Sequence, residues 1–140
     1  MRVSEVMSRD VEFIGPDASA RDAAILMGEL DVGALPVGSA AELEGVVTDR
    51  DLLYRVVAAG LDPNETRVGA VLSRPVVACS EIDTVRAVMD LMAAHHIRRM
   101  PVRDAGGAVT GWITLADLSR ALLLGSDALQ TSLRAMTEEA

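Results

Sequence analysis

The chain has 140 residues, half of them hydrophobic, which is enough for one compact domain with a buried core. Its formal net charge is −8 and all 13 basic residues are arginine, so we expect no clustered basic face for nucleic acid. No apolar stretch approaches the roughly 18 residues of a membrane-spanning helix, and the first residues show no signal-peptide core. Cys79 is the single cysteine and cannot form an internal disulfide. These features predict a cytoplasmic protein without a membrane partner.

The first half of the chain predicts a helix framed by short strands. A helical turn over residues 2–8 and a strand over residues 11–14 come first, and Ser19 is the expected N-cap of the next helix. Apolar residues then recur near helical spacing. We expect a strand over residues 34–37 and, after a turn and a second strand, a helix that ends at a C′ glycine, Gly60.

The second half of the chain predicts the same succession. Residues 75–79 supply a strand, residues 84–95 a helix with one apolar face, and residues 109–113 another strand. Residues 126–137 add an amphipathic segment that needs a surface to pack on. Its apolar side chains at helical spacing are Leu129, Leu133 and Met136.

One short phrase occurs twice. Residues 45–51 and residues 111–117 both follow the rule glycine, two apolar residues, threonine, two variable residues, aspartate. An apolar-proline-valine step precedes each copy, at Pro36 and at Pro101, which lie 65 positions apart. Two units of about 65 residues therefore fill most of the chain.

This repeat sets the expected domain organisation. The first repeat covers residues 1–60 and the second covers residues 66–125, with a linker at residues 61–65. The linker contains proline, asparagine and aspartate, which are typical of turns and connections. Residues 126–140 form a C-terminal amphipathic segment and tail outside the repeats.

Each phrase is typical of a buried strand that ends at a helix N-terminus. Thr48 and Thr114 lie at N-cap positions, and Asp51 and Asp117 follow three residues later, as in a capping box. In one interpretation these residues only satisfy the unpaired N–H groups of the first helical turn. In the other, the hydroxyl holds a phosphate at the helix N-terminus, and the carboxylate accepts hydrogen bonds from a ribose diol. The sequence leaves both interpretations open.

The doubled pattern resembles the cystathionine β-synthase (CBS) domain, which occurs as a tandem pair called the Bateman module. The resemblance covers roughly residues 1–60 and 66–125. It implies a mixed α/β fold, with tandem βαββα repeats related by a pseudo-twofold axis and helices outside two small sheets. It also implies that two such pairs associate into a homodimer.

The resemblance further implies a regulatory module that binds an adenosine-containing ligand in a cleft between the repeats. AMP, ADP, ATP and S-adenosylmethionine are the ligands to expect. By this resemblance, Asp51 and Asp117 hold ribose hydroxyls, while Thr48 and Thr114 meet phosphate. The adenine is expected among apolar strand residues, namely Phe13, Val37, Val77 and Val102.

Two adjacent arginines, Arg98 and Arg99, have two interpretations. They extend the cluster of cations at the end of the helix over residues 84–95, where positive charge is favourable. Alternatively, they serve a ligand phosphate, since they stand immediately before the second apolar-proline step, at the rim where the resemblance places phosphates. Arg50, inside the first phrase, is expected to serve the other cleft in the same way.

The remaining reactive residue types do not form a catalytic or metal-binding pattern. His95 and His96 are adjacent, so on a helix they point about 100° apart and make poor joint metal ligands. We interpret them as cations at a helix C-terminus, and Cys79 as a small buried hydrophobe. No nucleophile elbow or Walker-type phosphate loop is present, so we expect neither an enzyme nor a metal site.

An alternative function stays open. The repeats then form a structural scaffold for dimerisation or protein–protein interaction, and the two phrases serve only as helix caps. With either function, a stand-alone module is expected to act through a separate effector protein.

Overall fold

The computed structural model describes residues 1–124, 131, 132 and 134–136. Helices and strands follow one another in two similar series. The helices are α1 (Ala20–Leu30), α2 (Asp49–Leu52), α3 (Val68–Val71), α4 (Val85–His95) and α5 (Leu115–Leu124). The strands are β1 (Ala34–Gly38), β2 (Leu43–Thr48), β3 (Cys79–Ser80), β4 (Arg99–Arg103) and β5 (Val109–Thr114). A 3-10 turn at Val3–Glu5 precedes them, and α2 continues as a π-helical turn over Leu53–Val57.

Two small sheets carry the two copies of the repeated phrase. β1 and β2 pair antiparallel, with Ala34 opposite Thr48. β4 and β5 pair in the same way, with Arg99 opposite Thr114, and β3 joins β4 in parallel. Each threonine therefore ends its strand beside the first residue of the neighbouring strand. The predicted class, a mixed α/β fold of two βαββα-like repeats, is confirmed.

Two predicted strands are shorter than the sequence pattern indicates. The strand predicted over residues 11–14 is reduced to a single parallel bridge between Ile14 and Val37. The first two residues of that stretch line a cavity instead of pairing. The strand predicted over residues 75–79 begins only at Cys79. The proline that opens this stretch has no N–H to donate to a ladder.

The core of each repeat is completed by a segment from the other repeat. Val3 and Met7, at the start of the chain, are buried in the core of the second repeat. Val68 and Val71 of α3 are buried in the core of the first. Each fully buried side chain of this size contributes about 1.5–3 kcal/mol. The exchange therefore ties the two repeats into one packed unit.

Glycines allow the exchanged segments to approach β2 and β5 closely. A Cβ atom at Gly45 would lie 2.6 Å from the Leu72 Cδ1 atom, which is closer than carbon atoms pack. A Cβ atom at Gly111 would overlap the Met7 side chain in the same way. The glycine that opens each repeated phrase is therefore needed for packing between the repeats.

The helices α1 and α4 begin and end alike. The Ser19 and Thr84 hydroxyls accept N–H groups of the first helical turn at 3.0 and 3.1 Å, so the predicted Ser19 cap is confirmed. After the two helices, Asp31 and His96 adopt left-handed φ angles of 54° and 53°. This conformation is typical of a residue that ends a helix, and it turns the chain into β1 and β4.

The amphipathic segment predicted over residues 126–137 lies mostly outside the described residues, and Leu129 and Leu133 are not among them. Met136, which is described, has an exposed side chain. Within the portion of the chain that the structure describes, no helix is both long enough and apolar enough to cross a membrane.

Candidate functional site

Both repeated phrases form complete capping boxes. The Thr48 N–H donates to Asp51 Oδ2 at 2.9 Å, and the Asp51 N–H donates to Thr48 Oγ1 at 3.0 Å. The corresponding distances for Thr114 and Asp117 are 3.0 and 3.1 Å. The predicted caps are therefore confirmed in both copies. Capping does not exclude ligand binding, because a carboxylate has about four acceptor positions and the cap uses one.

A cavity of about 810 Å³ lies beside the second phrase and takes its wall from both repeats. Its volume falls in the range of small-molecule sites, roughly 300–1,000 Å³. Four of the predicted site residues line it: Thr114, Asp117, Arg98 and Arg99. Most of the remaining wall comes from Ser8, residues 10–12, residues 30–36, Trp112 and the first turn of α5.

Asp117 offers unused acceptor positions to this cavity. Its Oδ2 atom accepts the Thr114 N–H, while its Oδ1 atom lies 3.7 Å from Nη1 of the exposed Arg120. That separation is too long for a hydrogen bond, and the Asp117 side chain is 22% exposed. A pair of ligand hydroxyls can therefore donate to this carboxylate without disturbing the cap.

Asp51 has the same cap but no comparable opening. Its Oδ1 atom accepts the Ser73 hydroxyl at 2.9 Å and lies 3.4 Å from Nη1 of Arg55. The residue is only 8% exposed, and neither Asp51 nor Thr48 lines the cavity beside the second phrase. Protein groups already satisfy this carboxylate.

Arg98 and Arg99 bring two positive charges to the cavity wall. The Arg98 carbonyl accepts the N–H of Leu115, the first residue of α5, at 2.7 Å. Arg99 stands opposite Thr114 in the sheet. Both arginines are therefore held next to the N-terminus of a ten-residue helix. An anionic group at this place meets two guanidinium groups and the positive end of the helix dipole.

Arg50 is not part of this wall. Its guanidinium carbon lies 5.4 Å from the centre of the Tyr54 ring, in a cation–π contact.

Three further carboxylates, those of Asp10, Glu12 and Asp31, do line the cavity. Together with the aspartate of the second phrase they outnumber the two arginines. A phosphate is therefore favoured only on the arginine side of the cavity.

The predicted adenine wall does not line the cavity. Val37 and Val102 are fully buried, one in each core, and Val77 packs against the second core. Phe13 is half-buried and lies outside the cavity wall as well. β1 and β4 are buried along most of their length, so their valines have no face left for a ligand.

Trp112 lines the cavity, although no sequence pattern singled it out. Along β5, Gly111 and Ile113 are buried whereas Trp112 and Thr114 are half-buried. Successive strand residues face opposite sides, so Trp112 shares the cavity side with Thr114. In the sequence, the two-residue period of a strand, counted back from Thr114, was the signal that would have found Trp112. The indole offers an apolar face on which a purine can stack.

Cys79 and the histidines lie apart from this cavity. Burial, reinforced by the charge of Asp83, raises the pKa of the Cys79 thiol to about 12, so it is not a nucleophile at neutral pH. Its predicted role as a buried hydrophobe is confirmed. His95 ends α4 and His96 forms its left-handed cap. Among the described residues, no group of three or more His, Cys, Asp or Glu side chains could hold a metal ion.

The family model of the CBS domain matches this chain twice, over residues 3–58 and over residues 68–124. The chain belongs to the CBS domain family. Each match contains one copy of the repeated phrase, so the resemblance seen in the sequence is confirmed. Pairs of CBS domains are in general regulatory modules that bind small ligands.

Individual relatives agree with this assignment. The CBS domain-containing protein YhcV of Bacillus subtilis is 36% identical over 117 residues, which cover 84% of this chain and 82% of that protein. Hypoxic response protein 1 of Mycobacterium tuberculosis is 34% identical over 119 residues, with coverage of 84% and 82%.

Solved structures of other CBS proteins superpose well on this chain. A protein with CBS domains from Burkholderia ambifaria has a TM-score of 0.81 at 27% identity, covering 87% of this chain and 93% of that one. Hypoxic Response Protein I has a TM-score of 0.76 at 32% identity, covering 86% and 98%, and its structure has two coordinated zinc ions. These superpositions support the paired-repeat fold.

Proposed function

We propose that this CBS pair is a non-catalytic regulatory module that senses an adenosine-containing ligand in the cavity beside Asp117. The supporting observation is that one cavity of about 810 Å³ brings together an open carboxylate, two arginines, a helix N-terminus and an indole. AMP, ADP, ATP and S-adenosylmethionine belong to this ligand class.

Each group in the wall has a defined part in this proposal. Asp117 Oδ1 accepts the ribose hydroxyls while Oδ2 stays in the cap. Thr114 keeps its hydroxyl hydrogen for a phosphate oxygen, because its Oγ1 atom serves the cap only as an acceptor. Arg98 and Arg99 neutralise that phosphate. Trp112 covers one face of the base.

Isothermal titration calorimetry with AMP, ADP, ATP, S-adenosylmethionine and NADH tests this proposal. We expect Asp117→Ala to weaken binding by about 1–3 kcal/mol, because charge-assisted hydrogen bonds to the ligand are lost. Asp51→Ala is the matched control. It removes the same kind of capping carboxylate, but one that already accepts the Ser73 hydroxyl. It should lower the melting temperature and leave the affinity unchanged.

Two results would contradict the proposal. One is an Asp117→Ala variant that binds as tightly as the wild-type protein. The other is a folded Asp51→Ala variant that has lost binding while Asp117→Ala retains it, because the ligand would then use the first cleft.

A second candidate function is a scaffold for dimerisation or protein interaction without a small ligand. Two observations favour it: both capping boxes are complete, and the π-helical turn after α2 exposes three apolar side chains. These side chains, Leu53, Tyr54 and Val57, are called the α2 apolar patch below. With this function, both Asp→Ala variants melt at lower temperature and none of the five ligands gives heat.

We also propose a homodimer that forms through the α2 apolar patch, because burying this surface is favourable. A separate effector protein would read the occupied cavity in a cytoplasmic setting. The net charge of −8 supports a protein partner rather than a nucleic acid.

A further inference from the structure

We infer that Arg55 closes the first of the two related clefts, and that its counterpart Ala121 leaves the second one open. This inference rests on the proposed function and adds to it which cleft takes the ligand and how many ligands bind. It predicts one ligand per chain. An arginine four positions after the aspartate closes a cleft, and an alanine at that position leaves the cleft open.

Arg55 pins the chain segment that follows α3. Its Nη1 atom donates to the carbonyl oxygens of Val71 at 2.8 Å and Leu72 at 2.9 Å. The same atom lies 3.4 Å from Ser73 Oγ and 3.4 Å from Asp51 Oδ1. Carbonyls at the end of a short helix lack intrahelical donors. The two N–H groups of Nη1 therefore provide one donor for each of these two carbonyls.

Ser73, held in this way, occupies the carboxylate that the family pattern would offer to a ribose. Its hydroxyl donates to Asp51 Oδ1 at 2.9 Å, while the Thr48 N–H holds Oδ2 at 2.9 Å. With Arg55 beside Oδ1, both oxygens have protein partners. Ribose hydroxyls would have to displace these internal bonds before they could bind.

The second cleft has the same parts without the arginine. Ser8 forms an antiparallel bridge with Trp112, just as Ser73 does with Val46. Ser8 is exposed and lines the cavity. Four positions after the second aspartate the chain has Ala121, where the first repeat has its arginine.

This one difference accounts for the closed and the open cleft. An alanine side chain cannot reach the backbone carbonyls that precede Ser8, so nothing at position 121 pins that segment against Asp117. Arg120 lies 3.7 Å from Asp117 Oδ1, and its side chain is largely in solvent. Such a contact is weak and is readily exchanged for ligand hydroxyls.

The decisive experiment transfers the arginine to the second cleft. Calorimetry with AMP and S-adenosylmethionine is run on wild-type protein, on Ala121→Arg and on Ala121→Met, which has similar length without charge. We expect one ligand per wild-type chain and an affinity at least about tenfold lower in Ala121→Arg. Ala121→Met should bind as the wild type does.

Two outcomes of this experiment would overturn the inference. One is wild-type affinity in a folded Ala121→Arg variant, with folding checked by a thermal melt. The other is a stoichiometry of two ligands per wild-type chain.

A second measurement tests, without any ligand, whether Arg55, Ser73 and Asp51 act as one cluster. Urea denaturation compares Arg55→Met, Asp51→Ala and the double variant. Because both changes disrupt the same cluster, the double variant should be about as stable as the less stable single variant. Additive losses would overturn the inference. If the wild-type protein binds none of the five ligands, the proposed function fails. The urea comparison still shows whether Arg55 and Asp51 stabilise the first cleft together.

Discussion

Cys79 lies in β3 with its thiol 3.8 Å from the carbonyl oxygen of Pro101. Burial first, and the charge of Asp83 second, raise the thiol pKa to about 12. In the unfolded chain the thiol titrates near its ordinary value, about 8.5. Between the two values the native state keeps a proton that the unfolded state has released. The contribution of the protonated Cys79 thiol to the free energy of unfolding is therefore complete below the unfolded pKa. It is lost as pH rises towards the folded pKa.

We therefore expect the free energy of unfolding to fall by up to about 1.4 kcal/mol per pH unit between about pH 9 and about pH 12. The chain contains no lysine, so few other groups titrate in this window. Urea denaturation across a pH series measures the effect. Cys79→Val, which has no titrating group, should not show this loss, and equal pH slopes in the two proteins would contradict the prediction.

The strands β2 and β5 accept the exchanged segments at Gly45 and Gly111. Since a Cβ atom at Gly45 would lie within 2.6 Å of Leu72 Cδ1, Gly45→Ala should lower the free energy of unfolding by about 1–3 kcal/mol through overpacking. Gly28, inside α1, has nothing within 4 Å of its Cβ position. Gly28→Ala is therefore the control, and it should raise stability by roughly 0.5–1 kcal/mol. Chemical denaturation measures the free energy of unfolding of both variants. A Gly45→Ala variant as stable as the wild type would contradict close packing at β2.

Elements that depend on near neighbours were predictable from the sequence. The capping boxes are set by residues three positions apart, and α1, α4, β1 and β5 follow from short-range periodicity. The exchange of Val3 and Val68 between the cores was not predictable, because it pairs segments far apart in the chain. The occupation of Asp51 by Ser73 has the same origin, since 22 positions separate them.

At the scale of the whole molecule, the α2 apolar patch is an apolar surface that the described part of the fold leaves exposed to solvent. Leu53, Tyr54 and Val57 are 55%, 57% and 68% exposed. Val32 joins Leu53 and Val57 along a shallow groove between α1 and α2. Contiguous exposed apolar surface marks interaction sites in monomers. A second copy, related by a twofold axis, can place the same patch against this groove.

Val57→Arg should convert the proposed homodimer to a monomer, because two charges would meet in an apolar interface without partners. Ile82→Arg is the control, since Ile82 is equally exposed but belongs to the turn before α4. Sedimentation velocity over a range of protein concentrations measures the change. A monomeric wild-type protein, or a Val57→Arg variant that dimerises normally, would refute the interface. Because Val57 itself does not line the ligand cavity, the monomeric variant should still bind ligand.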